Sequence, residues 1–329
     1  RRVESEDIAT LGLGEARIPT RVTLHRLLKI DEAACIKAIQ GTIKLGVQFE
    51  NWQKEGDQYF HSFGYTGEGC WAAGFQHFWL RGQREGVAGD YGDYCLELKA
   101  AEAGKFGLSK DTNVNYAYHL DATRYGQYLR KRAEAAGVLR IEGKIDQVKL
   151  NAESGNIESL EMADGQVIEG DLFIDCTGFK ALLSEGALKT GFDDWSHWLP
   201  CNRAWAMPSE LDGAPVPYTR AIAHSGGWQW RIPLQHRAGN GLVYSSDSYS
   251  DDEALSILQS HVTEKAVADP RLIRFTTGQQ KQYWHRNCVA IGLSSGFIEP
   301  MESTSIHFIQ NAIMWLYSCF PSRVSTTLW

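Results

Sequence analysis

Two tryptophans one residue apart, Trp228 and Trp230 in Gly226-Gly-Trp-Gln-Trp-Arg-Ile-Pro-Leu234, leave that stretch few ways to fold. Side chains alternate between the faces of an extended strand, so both indoles fall on one side and need an apolar layer to cover them. Pro233 has no amide hydrogen to give a neighbour and is expected to end the pairing. Read from its residues alone, the stretch is a half-buried strand whose rings fill a core. With 329 residues, 43% of them apolar and 11 Trp, the chain can build one large core or two domains.

Charge and cysteine usage exclude several classes of function. The net charge is −7 with acids and bases interspersed, and no basic stripe suits nucleic acid. Cys35, Cys70, Cys95, Cys176, Cys201, Cys288 and Cys319 are odd in number and never in a Cys-x-x-Cys spacing, which argues against a disulfide framework or a zinc site. They read as buried thiols of a reducing cytoplasm. No apolar run approaches the roughly 20 residues of a membrane helix, and no signal pattern opens the chain. Both ends read as interrupted: 1–4 begins as if inside a strand, and 322–329 has no clear periodicity.

The expected elements follow from period and punctuation. Helices are expected over 20–30, 121–136 (Asp121 capping, Gly137 ending it), 251–265 and 307–316. Strands are expected over 3–8, 41–52, 171–178, 226–233, 241–246 and 283–291, with turns at 153–156, 164–165 and 237–241. The run 66–111 is rich in glycine and weakly periodic, and takes no assignment beyond a substrate-side region.

Several stretches carry polar groups where chemistry could use them. The 41–52 run alternates strictly, with Ile43, Leu45, Val47 and Phe49 on one face and Lys44, Gly46, Gln48 and Glu50 on a polar one. His61 and Phe63 share a strand face. In Gly292-Leu-Ser-Ser-Gly-Phe-Ile-Glu-Pro-Met-Glu-Ser-Thr-Ser-Ile306 a loop enters a helix, and the free N–H groups there can hold an anion. Glu4 sits at a strand tip, where a dinucleotide-binding unit places a carboxylate against ribose, although no Gly-x-Gly-x-x-Gly turn precedes it here.

The Gly-x-Trp-x-Trp-x-Ile-Pro stretch resembles the signature of the flavin-dependent halogenases, the tryptophan-halogenase-like family. Leu11-Gly-Leu-Gly-Glu-Ala-Arg-Ile-Pro19 is similar to the family's flavin strap Gly-Glu-Ala-Thr-x-Pro: Gly14, Glu15, Ala16 and Pro19 match, and Arg17 departs. The resemblance implies that Lys44 is the family's catalytic lysine, with Gly46 leaving room beside it, and that Glu302, next to Ser303, is the glutamate facing it. It implies halide contacts at Thr304 and Ser305, the latter a glycine in the best-known members, and an aromatic clamp on the substrate from His61 and Phe63. Cofactor contacts fall on Glu4, Ser5, Ile8, Leu11, Leu13, Gly14, Ala16, Asp175, Gly178, Leu293 and Ile306.

The fold implied is α/β, a Rossmann-like FAD-binding domain of the flavin monooxygenase and halogenase type interleaved with an antiparallel substrate-side sheet. As one unit over 1–329, the flavin-binding segments are 1–30, 121–180 and 283–316 and the substrate-side segments 41–115 and 190–280, with the glycine-rich turn and a C-terminal helical part absent. The activity implied is chloride- or bromide-dependent halogenation of an indole or tryptophan derivative. Reduced FAD, supplied by a separate flavin reductase, reacts with O2 to a hydroperoxide that oxidises halide to hypohalous acid, delivered to Lys44. As a haloamine carrier Lys44 must be neutral, and as a hydrogen-bond donor it must be charged; both routes stay open. So do a flavin monooxygenase on the same fold, a remnant that binds flavin weakly, and a homodimer.

Overall fold

The computed structural model describes residues 1–7, 15–16, 22–108, 113–299, 301 and 304–320. Chain order begins β1 (Arg2–Glu4), β2 (Glu15–Ala16), α1 (Val22–Leu27), α2 (Glu32–Ile39), β3 (Thr42–Lys44), β4 (Gly46–Glu50), β5 (Gln58–Ser62), α3 (Phe75–Arg84) and α4 (Leu96–Glu102). There follow β6 (Ala117–Leu120), α5 (Ala122–Ala135), β7 (Arg140–Glu142), β8 (Ile145–Leu150), β9 (Ile157–Met162), β10 (Val167–Glu169), β11 (Phe173–Asp175) and β12 (Phe192–Asp194). The remainder is β13 (Arg203–Ser209), β14 (Thr219–His224), β15 (Gly227–Pro233), β16 (Ala238–Tyr244), α6 (Asp251–His261), β17 (Arg271–Arg274), β18 (Gly278–Gln280), β19 (Trp284–His285), β20 (Cys288–Ala290), β21 (Gly296–Phe297) and α7 (Ser305–Cys319).

The Trp-x-Trp strand is β15, at the centre of a sheet ordered β17-β13-β16-β15-β14-β4-β5. Every pairing in it is antiparallel except β14 with β4. Smaller sheets carry the parallel pairs, β1 with β7 and β11 with β20, and a third runs β2-β6-β3. Parallel strands joined by long crossovers next to an antiparallel sheet make the mixed α/β architecture the sequence implies.

Both indoles do share a face, their centroids 6.1 Å apart. Trp228 is 4% exposed and packs with Val47, Phe49, Val243 and Phe275. Across the ladder Trp230 faces Gly241, and a Cβ on that glycine would overlap the indole. Local signals also hold at α5, where Asp121 Oδ1 accepts from the Arg124 amide and Gly137, at φ +93, follows its end. In α7 apolar residues lie on several sides, and Phe308, Trp315 and Tyr317 stay exposed.

Other expectations are corrected. Pro233 ends only the ladder to β14; it still pairs with Ala238. Within the expected turn 237–241, residues 238–241 are strand, because the chain reverses earlier, where the Leu234 amide bonds the Arg237 carbonyl. Of the expected helix 20–30 the described residues form only α1, Val22–Leu27, with α2 a separate helix beyond it, and α6 stops at His261. The weakly periodic 66–111 run contains α3 and α4, and 283–291 is a hairpin of β19 and β20. In 172–174 only Phe173 is buried, and Ile174 is 49% exposed. All seven cysteines are free thiols, but Cys70, Cys176 and Cys319 are exposed.

Candidate active site

The 41–52 run is two strands, because the chain changes sheets at Leu45. Thr42–Lys44 pairs with β6, whereas Gly46–Glu50 pairs with β5 and β14. At the step between them the Leu45 amide bonds the Pro217 carbonyl, and the Leu45 carbonyl accepts from the Phe63 amide at 2.9 Å. Lys44 therefore belongs to no solvated face and is wholly buried. Its Nζ lies 5.3 Å from the Phe63 ring centroid, close enough for the ring's negative face to attract a cation.

Room for the ammonium does not come from Gly46, where a Cβ would overlap the Phe60 ring and the His61 carbonyl. Opposite Lys44 on β6 stands Ala117, a small residue that is also wholly buried. Two pairs further on, Thr42 faces His119, so Thr42, Lys44, Ala117 and His119 share a face. His119 is fully buried, its Nδ1 2.8 Å from Thr42 Oγ1 and its Nε2 3.0 Å from Thr219 Oγ1. Burial first, and then the Lys44 ammonium, push His119 well below the ordinary histidine value. Sequence reasoning missed Thr42, Ala117, His119 and Thr219. The one available signal was a histidine in the short run Ala117-Tyr-His-Leu120.

His61 is exposed on β5, directly opposite Val47, while Phe63 lies just past the strand end with the same parity. The start of α7 is brought to the same region from the other side. Met301 packs on the Trp228 cluster, and Ile306 packs with Ile30, Ile39, Leu120 and Tyr125. Thr304, the N-cap residue of α7, and Ser305 lie between those two anchors. Glu302 and Ser303 lie outside the described residues, as do Ile8, Leu11, Leu13 and Gly14; Ala16 is placed only by its pairing with His119.

A cavity of about 550 Å³ opens beside α7, lined by Leu293, Ser305, Phe308, Ile309 and Trp284. Leu293 faces it, whereas Ile306 turns away into the α2–α5 cluster. Gly178 has φ +76 with nothing within 4 Å of a Cβ, and its carbonyl accepts from Ser294 Oγ at 3.1 Å. The apolar volume and the open, positive-φ glycine turn fit the ring end of a flavin.

Two expected cofactor carboxylates are occupied by their own chain. Asp175 accepts from the Thr177 amide and hydroxyl, the Leu183 amide, and the Ser184 amide and hydroxyl, at 2.7–3.1 Å. Burial raises its pKa, but these bonds outweigh it and hold the carboxyl below the usual range. Five donors exhaust the acceptor sites of a carboxylate, so Asp175 shapes the loop under Gly178 and has no lone pair left for a cofactor. Glu4, at the tip of β1, pairs with Arg2, Arg130 and Arg140; these outweigh its partial burial and keep it ionised. Ser5 Oγ accepts from the Asp7 amide. Among the described residues no group of three His, Cys, Asp or Glu could hold a metal, and no helix is long and apolar enough to cross a membrane.

The sequence profile of the tryptophan halogenase family matches residues 1–328. The chain belongs to that family. It is 35% identical to the tryptophan 7-halogenase RebH of Lentzea aerocolonigenes over 98% of this chain and 64% of that one. Its fold matches the flavin-dependent halogenase Xcc4156 of Xanthomonas campestris with a TM-score of 0.94 at 52% identity, covering 98% of this chain and 66% of that one. The flavin-dependent halogenase BrvH of Brevundimonas sp. BAL3 gives 0.91 at 44%, over 98% and 66%. The chain thus spans slightly under two thirds of each of these three relatives.

Proposed function

We propose that this family member halogenates an electron-rich aromatic, an indole or tryptophan derivative, with Lys44 as the residue that holds the oxidant beside the ring. The observation that carries this reading is the setting of Lys44: an ammonium removed from water, facing an aromatic ring, at the joint between the sheet of the tryptophan pair and the small β2-β6-β3 sheet. A buried lysine without function would be an expensive residue to keep.

Bound flavin, reduced by a separate reductase, would supply the two-electron reduction of O2 that makes halide oxidation possible. Leu293, Ser305 and the Gly178 turn would hold its ring, and the Asp175 network would fix that turn. The amides opening α7, near Thr304 and Ser305, would favour chloride or bromide through the helix dipole. Phe63, with His61, would stack on a flat substrate, and Lys44 would donate to the oxidant from the far side. Glu302 would receive the proton that the arene loses as it regains aromaticity. The flavin-side segments are 1–30, 121–180 and 283–316, and the substrate-side segments 41–115 and 190–280.

The test is mass spectrometry of indole incubated with the protein, a flavin reductase, NADH, FAD, O2 and bromide. A bromine isotope doublet that vanishes in Lys44→Ala and in Glu302→Gln is the expected result. A product heavier by one oxygen would replace this reading with a monooxygenase, and a doublet that survives Lys44→Ala would remove the lysine from it.

A further inference from the structure

Thr42 makes two contacts through one hydroxyl, and they fix the protonation of the histidine beside it. Its Oγ1 is 2.6 Å from the Pro233 carbonyl, an acceptor only, so its hydrogen points there. Thr42 Oγ1 must then accept from His119 Nδ1–H at 2.8 Å, which leaves Nε2 to accept from the Thr219 hydroxyl at 3.0 Å. The chain Thr219–His119–Thr42–Pro233 is a closed sequence of donors and acceptors. It ties four strands together: β14 and β15 of the large sheet, and β6 and β3 of the small one. Lys44 is two residues from Thr42 on the same face, at the end of the strand this chain holds.

We propose that His119 is the positioning residue for Lys44: clamped between the Thr42 and Thr219 hydroxyls, it sets where the lysine strand meets the sheet of the tryptophan pair, and presents an uncharged polar ring beside the ammonium. The proposal rests on the role given to Lys44 above. A second cation in that buried layer would repel the ammonium strongly, and an apolar side chain would strip the Thr219 hydroxyl of its acceptor and Thr42 of its donor and loosen the joint. Among the described residues, Lys44 itself comes from β3; Asp121, the capping residue of α5 two positions beyond His119, is paired with Arg237 at 2.8 Å and His236 at 3.6 Å; α4 brings the buried Glu97, whose carboxylate accepts from the Asn115 amide at 2.8 Å; β14 brings the neutral Thr219, and the turn after β5 brings Phe63.

The experiment compares wild type, His119→Gln, His119→Phe, Thr219→Val and Lys44→Ala, each as the whole chain with flavin reductase, NADH, FAD, O2, bromide and indole. Brominated indole is measured in one arm, and bromination of a freely diffusing 1,3-diketone, which reports oxidant that has left the protein, in another. In His119→Phe indole bromination is expected to fall by about ten- to a hundredfold, the scale of a misplaced catalytic group, with diketone bromination unchanged or higher. The ratio of diketone to indole bromination should rise, a change that loss of stability alone does not produce. His119→Gln, which keeps a donor and an acceptor, should restore most of the yield. Thr219→Val, which removes only the Nε2 partner, should reproduce the fall in part even where His119→Phe does not fold. Wild-type indole yield and product ratio in His119→Phe, or in Thr219→Val when that variant alone folds, overturns the proposal. Lys44→Ala separates the two claims: if it still brominates indole, the lysine assignment fails and takes this one with it; if it is inactive while His119→Phe is normal, only the present inference falls.

Discussion

Trp230 and Gly241 face one another across adjacent strands, the indole of one lying where any side chain of the other would have to be. The glycine is there because a large ring on a central strand needs its opposite position empty. Gly241→Ala should therefore cost about 1–3 kcal/mol by overpacking, measured as a lower urea midpoint. Combining it with Trp230→Leu should recover part of that loss. The remainder belongs to the Trp205 carbonyl, 2.5 Å from the added carbon.

Lys44→Met should abolish halogenation: Lys44 is wholly buried, and methionine is an apolar side chain of similar length that fills the same space without the charge or the donors. Brominated indole from Lys44→Met in the mass-spectrometric assay would show that the ammonium is not needed.

Asp175→Asn would turn one acceptor into a donor aimed at donors. With the carboxylate fully buried, the loss should be about 1–3 kcal/mol. The pH dependence has a definite sign. The folded carboxyl titrates below its unfolded value, so its contribution is present above the unfolded carboxylate range and disappears as pH falls through the lower folded value. Wild type should therefore lose stability between neutral and acid pH more steeply than Asp175→Asn, as urea titrations at successive pH values would show.

Arg220 holds Glu50 with two bonds, at 2.6 and 2.8 Å, beside a polar pocket of about 350 Å³ on the sheet face away from the tryptophans. Arg220 is partly exposed, which screens the pair, yet Glu50 is nearly buried. Arg220→Gln should cost more than the double variant with Glu50→Gln, because only the single change strands a carboxylate. Equal losses in a double-mutant cycle would make the pair a surface contact.

What the sequence disclosed was local. The Trp-x-Trp strand and α5 each declare themselves within a few residues, by alternation in one case and by a capping aspartate and terminating glycine in the other. The residue type at position 44 was legible through its motif, but its burial was not. Residues 42–44 and 46–50 keep one unbroken alternation, and only the partners, β6 for one and β5 and β14 for the other, reveal a break at Leu45. His119 was illegible for the same reason: its meaning lies in Thr42 and Thr219, which no spacing connects to it. Asp175 looked free to bind because the donors that fill it come from the next turn of chain, whose conformation its residue types do not announce.

The chain of hydroxyls beneath Lys44 has a consequence for how the protein comes into being. Its links span 77, 100 and 191 residues of sequence, so they are contacts of high order, made only after long loops have closed. During synthesis the lysine leaves the ribosome early, and its seat is incomplete until Pro233 has followed it. Competence for catalysis should therefore arise late in folding, after most of the secondary structure around the lysine has already formed.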